Sequence, residues 1–101
     1  MGKSSDEKMQ TLLVSGKPGI KIPLKRYELM RDTMLAILAE YPEISYKELV
    51  RLIHLRVEGM MDGSIMWLLE TVKNDLLGRR IIKKTSQSPV MLKIADDSDL
   101  V

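Results

Sequence analysis

From Leu24 onward the chain carries three consecutive blocks in which apolar residues recur three and four positions apart, separated by helix-breaking punctuation. In the first block Tyr27, Met30, Met34, Ile37, Leu38 and Tyr41 fall on one face of a helix running from about Leu24 to Tyr41, with Arg26, Arg31 and Asp32 off that stripe. Pro42 sets its end, because the residue before a proline is pushed out of the helical region. Ser45-Tyr46-Lys47-Glu48 then has the spacing of a capping box: the serine hydroxyl accepts a free N–H and the glutamate reaches back. It opens a second helix whose stripe is Tyr46, Leu49, Val50, Ile53 and Val57, ending near Gly59, with Lys47, Arg51, His54 and Glu58 opposite. Met60-Met61-Asp62-Gly63 is a turn, and Ser64 is the N-cap of a third helix over about Ile65 to Arg79 with Ile65, Leu68, Leu69, Val72 and Leu76 as its core face.

The flanks read as extended chain. Met9 to Val14 is a short apolar-leaning run with the look of a strand, stopped by the turn signal Ser15-Gly16-Lys17-Pro18-Gly19, and Ile20 and Ile22 alternate with polar neighbours after it. Beyond the third helix, Ile81 to Thr85 and Val90 to Ile94 flank Ser86-Gln87-Ser88-Pro89, the pattern of a hairpin. Glu43-Ile44 supplies a minimal strand between the first two helices. Helix, link, helix, turn, helix, hairpin is the order of a winged helix-turn-helix. The expected fold is therefore mainly α with a small β component: three helices plus a C-terminal β-hairpin wing, with an N-terminal extended segment. At 101 residues this is one domain, expected over 9–94, with residues 1–8 a mobile terminus and 95–101 an acidic tail.

Gly16-Lys17-Pro18-Gly19, Tyr27 and Met30, Trp67, Thr71-Val72, Asp75-Leu76, Ile81-Ile82 and Pro89 together resemble a small bacterial winged-helix family of unknown function, over about residues 12–94. The resemblance implies a fold and carries no catalytic residue with it. One position departs from the pattern. Such folds usually have glycine where the third helix gives way to the wing, and here that residue is Arg80, with the nearest glycine two positions earlier at Gly78. Either the helix ends sooner or Arg80 takes a mildly strained conformation.

Several function classes fall away. With no cysteine there is neither a disulfide framework nor a thiolate nucleophile or ligand, and one histidine excludes a multi-histidine metal cage. His54 reads as a solvated residue on a polar face, and no nucleophilic triad can be assembled around it. Glu40 with Glu43, and Asp96, Asp97 and Asp99, lack the backing ligands of a metal site. The glycines at 16 and 19 lack the spacing of a phosphate-binding loop. No cofactor, catalytic residue or small-molecule substrate is expected, so the chain does not read as an enzyme. No apolar run approaches the roughly 20 residues of a membrane span. Met1-Gly2-Lys3-Ser4-Ser5-Asp6 misses a myristoylation signal at Asp6, and no secretory h-region follows, which makes the cytoplasm the default location.

Charge and fold then point to duplex DNA. Residues 64–94 hold six basic and two acidic side chains, whereas 95–101 hold three acidic and no basic ones. In this fold the third helix usually enters the major groove. Lys73 and Asn74 lie on or beside its outer face and suit base edges or phosphate, and Arg79, Arg80, Lys83 and Lys84 cluster at the wing. Transcriptional regulation follows from that reading, by analogy of fold. Three features favour a different one, a protein partner or a homodimer: Glu70 in the middle of the presumed reading face, Trp67 upon it, and the acidic tail. Trp67 either packs against helix 1 or the Gly16–Ile22 segment, or stands exposed as a partner anchor with Met66 beside it. Lysines on the wing equally suit an ordinary edge strand protected from aggregation. Methionines 60, 61 and 66 read by default as core filling, and Met9–Val14 has the composition to add a strand to a neighbouring sheet.

Overall fold

The structure, a computed structural model, describes residues 7–95. It contains β1 (Lys8–Leu12), β2 (Pro18–Pro23), α1 (Leu24–Glu40), α2 (Tyr46–Val57), α3 (Ile65–Gly78), β3 (Ile82–Lys84) and β4 (Leu92–Ile94). Three helices are thus combined with two small antiparallel hairpins, β1–β2 and β3–β4. The N-terminal extended segment is itself a hairpin: Lys8 pairs with Pro23, Met9 with Ile22 and Gln10 with Lys21, with a shift in register before Leu12 meets Pro18. Ile44 forms a bridge to Leu92 in both directions, Ile44 N–H to Leu92 C=O at 3.1 Å and Leu92 N–H to Ile44 C=O at 2.8 Å, so the link between α1 and α2 runs beside β4.

One core lies between the three helices and the inner face of both hairpins. Tyr27, Met30, Met34, Ile37 and Leu38 of α1, Leu49, Ile53 and Val57 of α2, and Leu68, Leu69, Val72 and Leu76 of α3 are buried together with Ile22, Ile44, Ile82 and Leu92. Apolar burial of this kind stabilises by about 25 cal/mol per Å² removed from water, and it fixes which face of each helix turns inward. The stripes differ from expectation at their ends. Tyr41 is exposed, because α1 stops at Glu40 and the chain turns out into Pro42. Tyr46, Val50 and Ile65 are only partly buried, being the first or flanking residues of their stripes.

Both serine caps form. Ser45 accepts from the N–H of Glu48 at 3.1 Å and Ser64 from that of Trp67 at 3.0 Å, each contributing about 1 kcal/mol. Only half of the expected capping box exists, however. The Glu48 carboxylate turns along the helix to Arg51, which holds it below the usual carboxylate range, because an arginine one turn on offers a charged partner and the backbone offers a neutral one.

Candidate interaction surfaces

The feature that organises the exposed face of α3 is a buried carboxylate. Leu68, Val72 and Asp75 are spaced i, i+4, i+7, which puts Asp75 in line with the core, and it is fully buried. A charge removed from water must be matched by donors. Asp75 has three. The Tyr27 hydroxyl donates to Oδ2 at 2.5 Å, the Leu12 N–H donates to Oδ1 at 2.8 Å, and Arg79 Nε lies 2.9 and 3.0 Å from the two oxygens. Arg79 also donates through a terminal nitrogen to the Gln10 carbonyl at 2.8 Å. Gln10 and Leu12 are alternate residues of β1, and their outward groups meet an acceptor from Asp75 and a donor from Arg79. The two side chains therefore treat the free edge of β1 as a neighbouring strand would. On that edge the Gln10 carbonyl and the Leu12 N–H are thus already taken. The Tyr27 phenol is pushed up to about 12, first by burial and then by its bond to the Asp75 carboxylate.

Two glycine questions resolve here. A Cβ at Gly78 would overlap the Leu13 carbonyl oxygen, so glycine at this position lets the β1–β2 turn lie directly on α3. Arg80 accordingly has no glycine to do its work and sits at φ 63° in the left-handed region, where its N–H still reaches Leu77 C=O at 3.1 Å. Of the two alternatives open in the sequence, the second holds.

The hairpin leaves a cleft along α3. Thr11, Leu12, Leu13 and Ile20 face Trp67, Thr71 and Asn74 across a space of about 220 Å³. Trp67 is 50% exposed, Leu13 50% and Ile20 49%. The tryptophan thus combines both readings: it stands beside the N-terminal segment and remains half open to solvent. Met66 is 40% exposed beside it. Met61 packs against the core, whereas Met60 and Met66 are exposed, so core filling holds for one of the three methionines around the turn and not for the other two.

Of the six basic and polar residues singled out for nucleic acid, Lys73 of α3 and Lys84 of β3 line one pocket of about 230 Å³ with Tyr46, Val90 and Leu92. Lys73 makes an ion pair with Glu70 at 3.0 Å and lies 4.6 Å from the centre of the Tyr46 ring, whose hydroxyl bonds to the same glutamate. Arg79 is bound to Asp75 and β1 as described. Asn74 is a wall of the Trp67 cleft. Arg80, Lys83 and Lys84 come together on a groove of about 420 Å³ whose apolar lining is Val14, Leu77, Ile82 and Ala95. Lys83 also stands directly across from Lys93 in the β3–β4 pair. His54 is partly buried with Nδ1 2.9 Å from the Val50 carbonyl, one turn back on its own helix. Glu40 pairs with Arg56 at 2.8 Å. Among the described residues no group of three potential ligands could hold a metal ion, and no helix is long and apolar enough to cross a membrane. Asp96, Asp97 and Asp99 lie outside the described residues.

A model for DUF6958, a family of unknown function, matches residues 8–92. The chain belongs to this family. The matched span begins at the first residue of β1 and ends at the first of β4, so in this DUF6958 chain it takes in the hairpin, the Asp75 network and the Trp67 cleft together. No curated protein and no solved structure matches the chain.

Proposed function

We propose that this protein is a non-catalytic protein-interaction module on a winged helix-turn-helix scaffold, and that the cleft between the N-terminal hairpin and α3 receives apolar side chains of another polypeptide. The element order and the Ile44–Leu92 bridge beside the β3–β4 hairpin support that scaffold. The observation that carries the function is the grouping of Trp67, Leu13 and Ile20, three large apolar side chains each about half exposed around one cleft. Such surface is costly to leave in water, and tryptophan is among the residues enriched at the energetic centres of protein interfaces. The same hairpin that builds the cleft covers Gly78 and draws Arg79 inward, which removes two residues from the face a duplex would meet.

A second reading, contact with duplex DNA, is favoured by the grouping of Arg80, Lys83 and Lys84 on the β3 side. Wing cations of this kind contact phosphate or the minor groove. One pair of measurements separates the two. Sedimentation across a concentration series reads self-association, the homodimeric form of the first reading, and fluorescence anisotropy with a mixed-sequence duplex at several salt concentrations reads DNA. Association abolished by Trp67→Ala supports the cleft. A protein that stays monomeric yet binds duplex with steep salt dependence, lost in the Lys83→Ala, Lys84→Ala double variant, replaces the first reading by the second.

A further inference from the structure

The β3–β4 hairpin has one edge taken and one edge open. Leu92 of β4 gives both its N–H and its C=O to Ile44, so its backbone groups point away from β3. Lys84 is the residue directly across from Leu92. In an antiparallel ladder the two members of such a pair turn their backbone groups to opposite outer sides. Lys84 therefore presents its N–H and C=O outward, and so does Ile82, two residues back. The flanking bonds fit this phase: Thr85 N–H reaches Met91 C=O at 2.8 Å and Ala95 N–H reaches Ile81 C=O at 2.9 Å, both inside the hairpin. Among the described residues no other group bonds to the outward N–H or C=O of Ile82 or Lys84. The outer edge of β1, by contrast, is met by Asp75 and Arg79. Beside the open edge lies the groove of about 420 Å³: all three residues of β3 line it with Val14 and Leu77 and, among the described residues, none of β4. Arg80 and Lys84 bring charge to it, and neither forms an ion pair among the described residues.

We propose that β3 receives an extended acidic segment of another protein as an added strand, paired through the backbone of Ile82 and Lys84 and held by Arg80 and Lys84. Strand addition draws affinity from main-chain hydrogen bonds and specificity from alternate side chains. Successive side chains of a strand point to opposite faces. A segment that alternates acidic and apolar residues thus offers one set to the two cations and the other to Val14 and Leu77. Other occupants match less of this surface. Duplex DNA supplies phosphate for the cations but neither a strand for the open edge nor apolar groups for the groove. A second copy is a poorer fit, because antiparallel pairing of β3 with β3 sets lysine against lysine. Lysine on an edge strand ordinarily discourages pairing. A guard made of positive charge turns away neutral and basic strands, and it favours an acidic one.

This surface is separate from the Trp67 cleft, and Trp67→Ala leaves it unchanged. The probe is a short synthetic peptide alternating glutamate and valine, titrated up to about 1 mM into the full-length ¹⁵N-labelled protein, a range that reads weak association. The expected result is a set of amide shifts centred on Ile82 and Lys84, with slower hydrogen exchange at those two N–H groups when the peptide is bound. Lys84→Glu changes an exposed side chain and is expected to weaken the peptide more than about tenfold, since like charges then face each other. The same variant is expected to gain binding of a peptide alternating lysine and valine, a gain that a misfolded protein would not show. Shifts centred on Thr11, Ile20 and Trp67 would overturn the proposal, because the peptide then occupies the other cleft. Shifts at Arg80 and Lys84 without slower exchange at Ile82 and Lys84 would overturn it too, since charge then acts without strand pairing. No binding in this range, or a mixed-sequence duplex that binds at these amides more tightly than the peptide, has the same consequence.

Discussion

The Tyr27 hydroxyl donates to the Asp75 carboxylate at 2.5 Å, a contact across 48 residues of sequence that ties α1 to α3 beneath the N-terminal hairpin. Because Asp75 also accepts from Leu12 and Arg79, one buried carboxylate joins three elements of the fold.

Breaking this junction from different sides has different consequences. Asp75→Ala strands the Leu12 N–H and the Tyr27 hydroxyl and leaves Arg79 without its partner, with an expected loss of about 3–5 kcal/mol. Tyr27→Phe removes one donor from a carboxylate that keeps two others, with an expected loss of about 1–3 kcal/mol. Urea denaturation of both single variants and of the double variant reads these values, and the double variant is expected to lose less than the sum.

The same contact makes stability sensitive to alkali. The Tyr27 phenol ordinarily ionises near 10 and is pushed up to about 12 in the folded chain. Between those values the unfolded chain gives up this proton and the folded one retains it. Its contribution is therefore fully present below about pH 10 and is lost as pH rises through about 12, at a slope approaching about 1.4 kcal/mol per pH unit. Urea denaturation at stepped pH above 9 measures that slope, and Tyr27→Phe is expected to flatten it.

Gly78→Ala reverses the usual helix rule. Alanine in a helix interior normally gains about 1 kcal/mol over glycine. Here the added methyl meets the Leu13 carbonyl, a backbone atom that moves only with the hairpin. A net loss of about 1–3 kcal/mol is expected, with faster amide exchange at Leu12 as the hairpin lifts from α3.

Arg80→Gly is expected to do the opposite. Its φ of 63° costs a side-chain-bearing residue what glycine is spared. A gain of up to about 1 kcal/mol in thermal or urea unfolding is expected, alongside the loss of one cation from the groove rim.

Trp67→Ala separates interaction from stability. Half of the side chain is already in water, so a loss near 1 kcal/mol is expected, well below the roughly 3–5 kcal/mol of a fully buried aromatic truncation. A larger loss in the monomer's urea denaturation would make Trp67 a core residue and remove the anchor from the proposed cleft.

What the sequence determined by itself was everything that is settled within a few residues. Three- and four-residue spacing placed the three helices and nearly all their buried positions; Pro42 and Gly59 bounded them, Ser45 and Ser64 began two of them, and alternation around Ser86–Pro89 gave the second hairpin. These signals are local because a helical turn and a cap are completed by neighbours in the chain. The tertiary structure alone decided what each exposed polar residue does. In sequence Arg79 stands among the wing cations and Asp75 among the residues of the resemblance; burial of Asp75 beside Tyr27 and the arrival of β1 from 63 residues away make the two the edge partner of a strand. Lys73 and Asn74 share the outer face of α3 in sequence, and only the fold sets Lys73 against Glu70 and Tyr46 and makes Asn74 a wall of the cleft under the hairpin. Gly78 looked misplaced by two residues until Leu13 lay across it. In each case the deciding atom belongs to a distant part of the chain, and a charge or a glycine carries no periodic signal that would announce it.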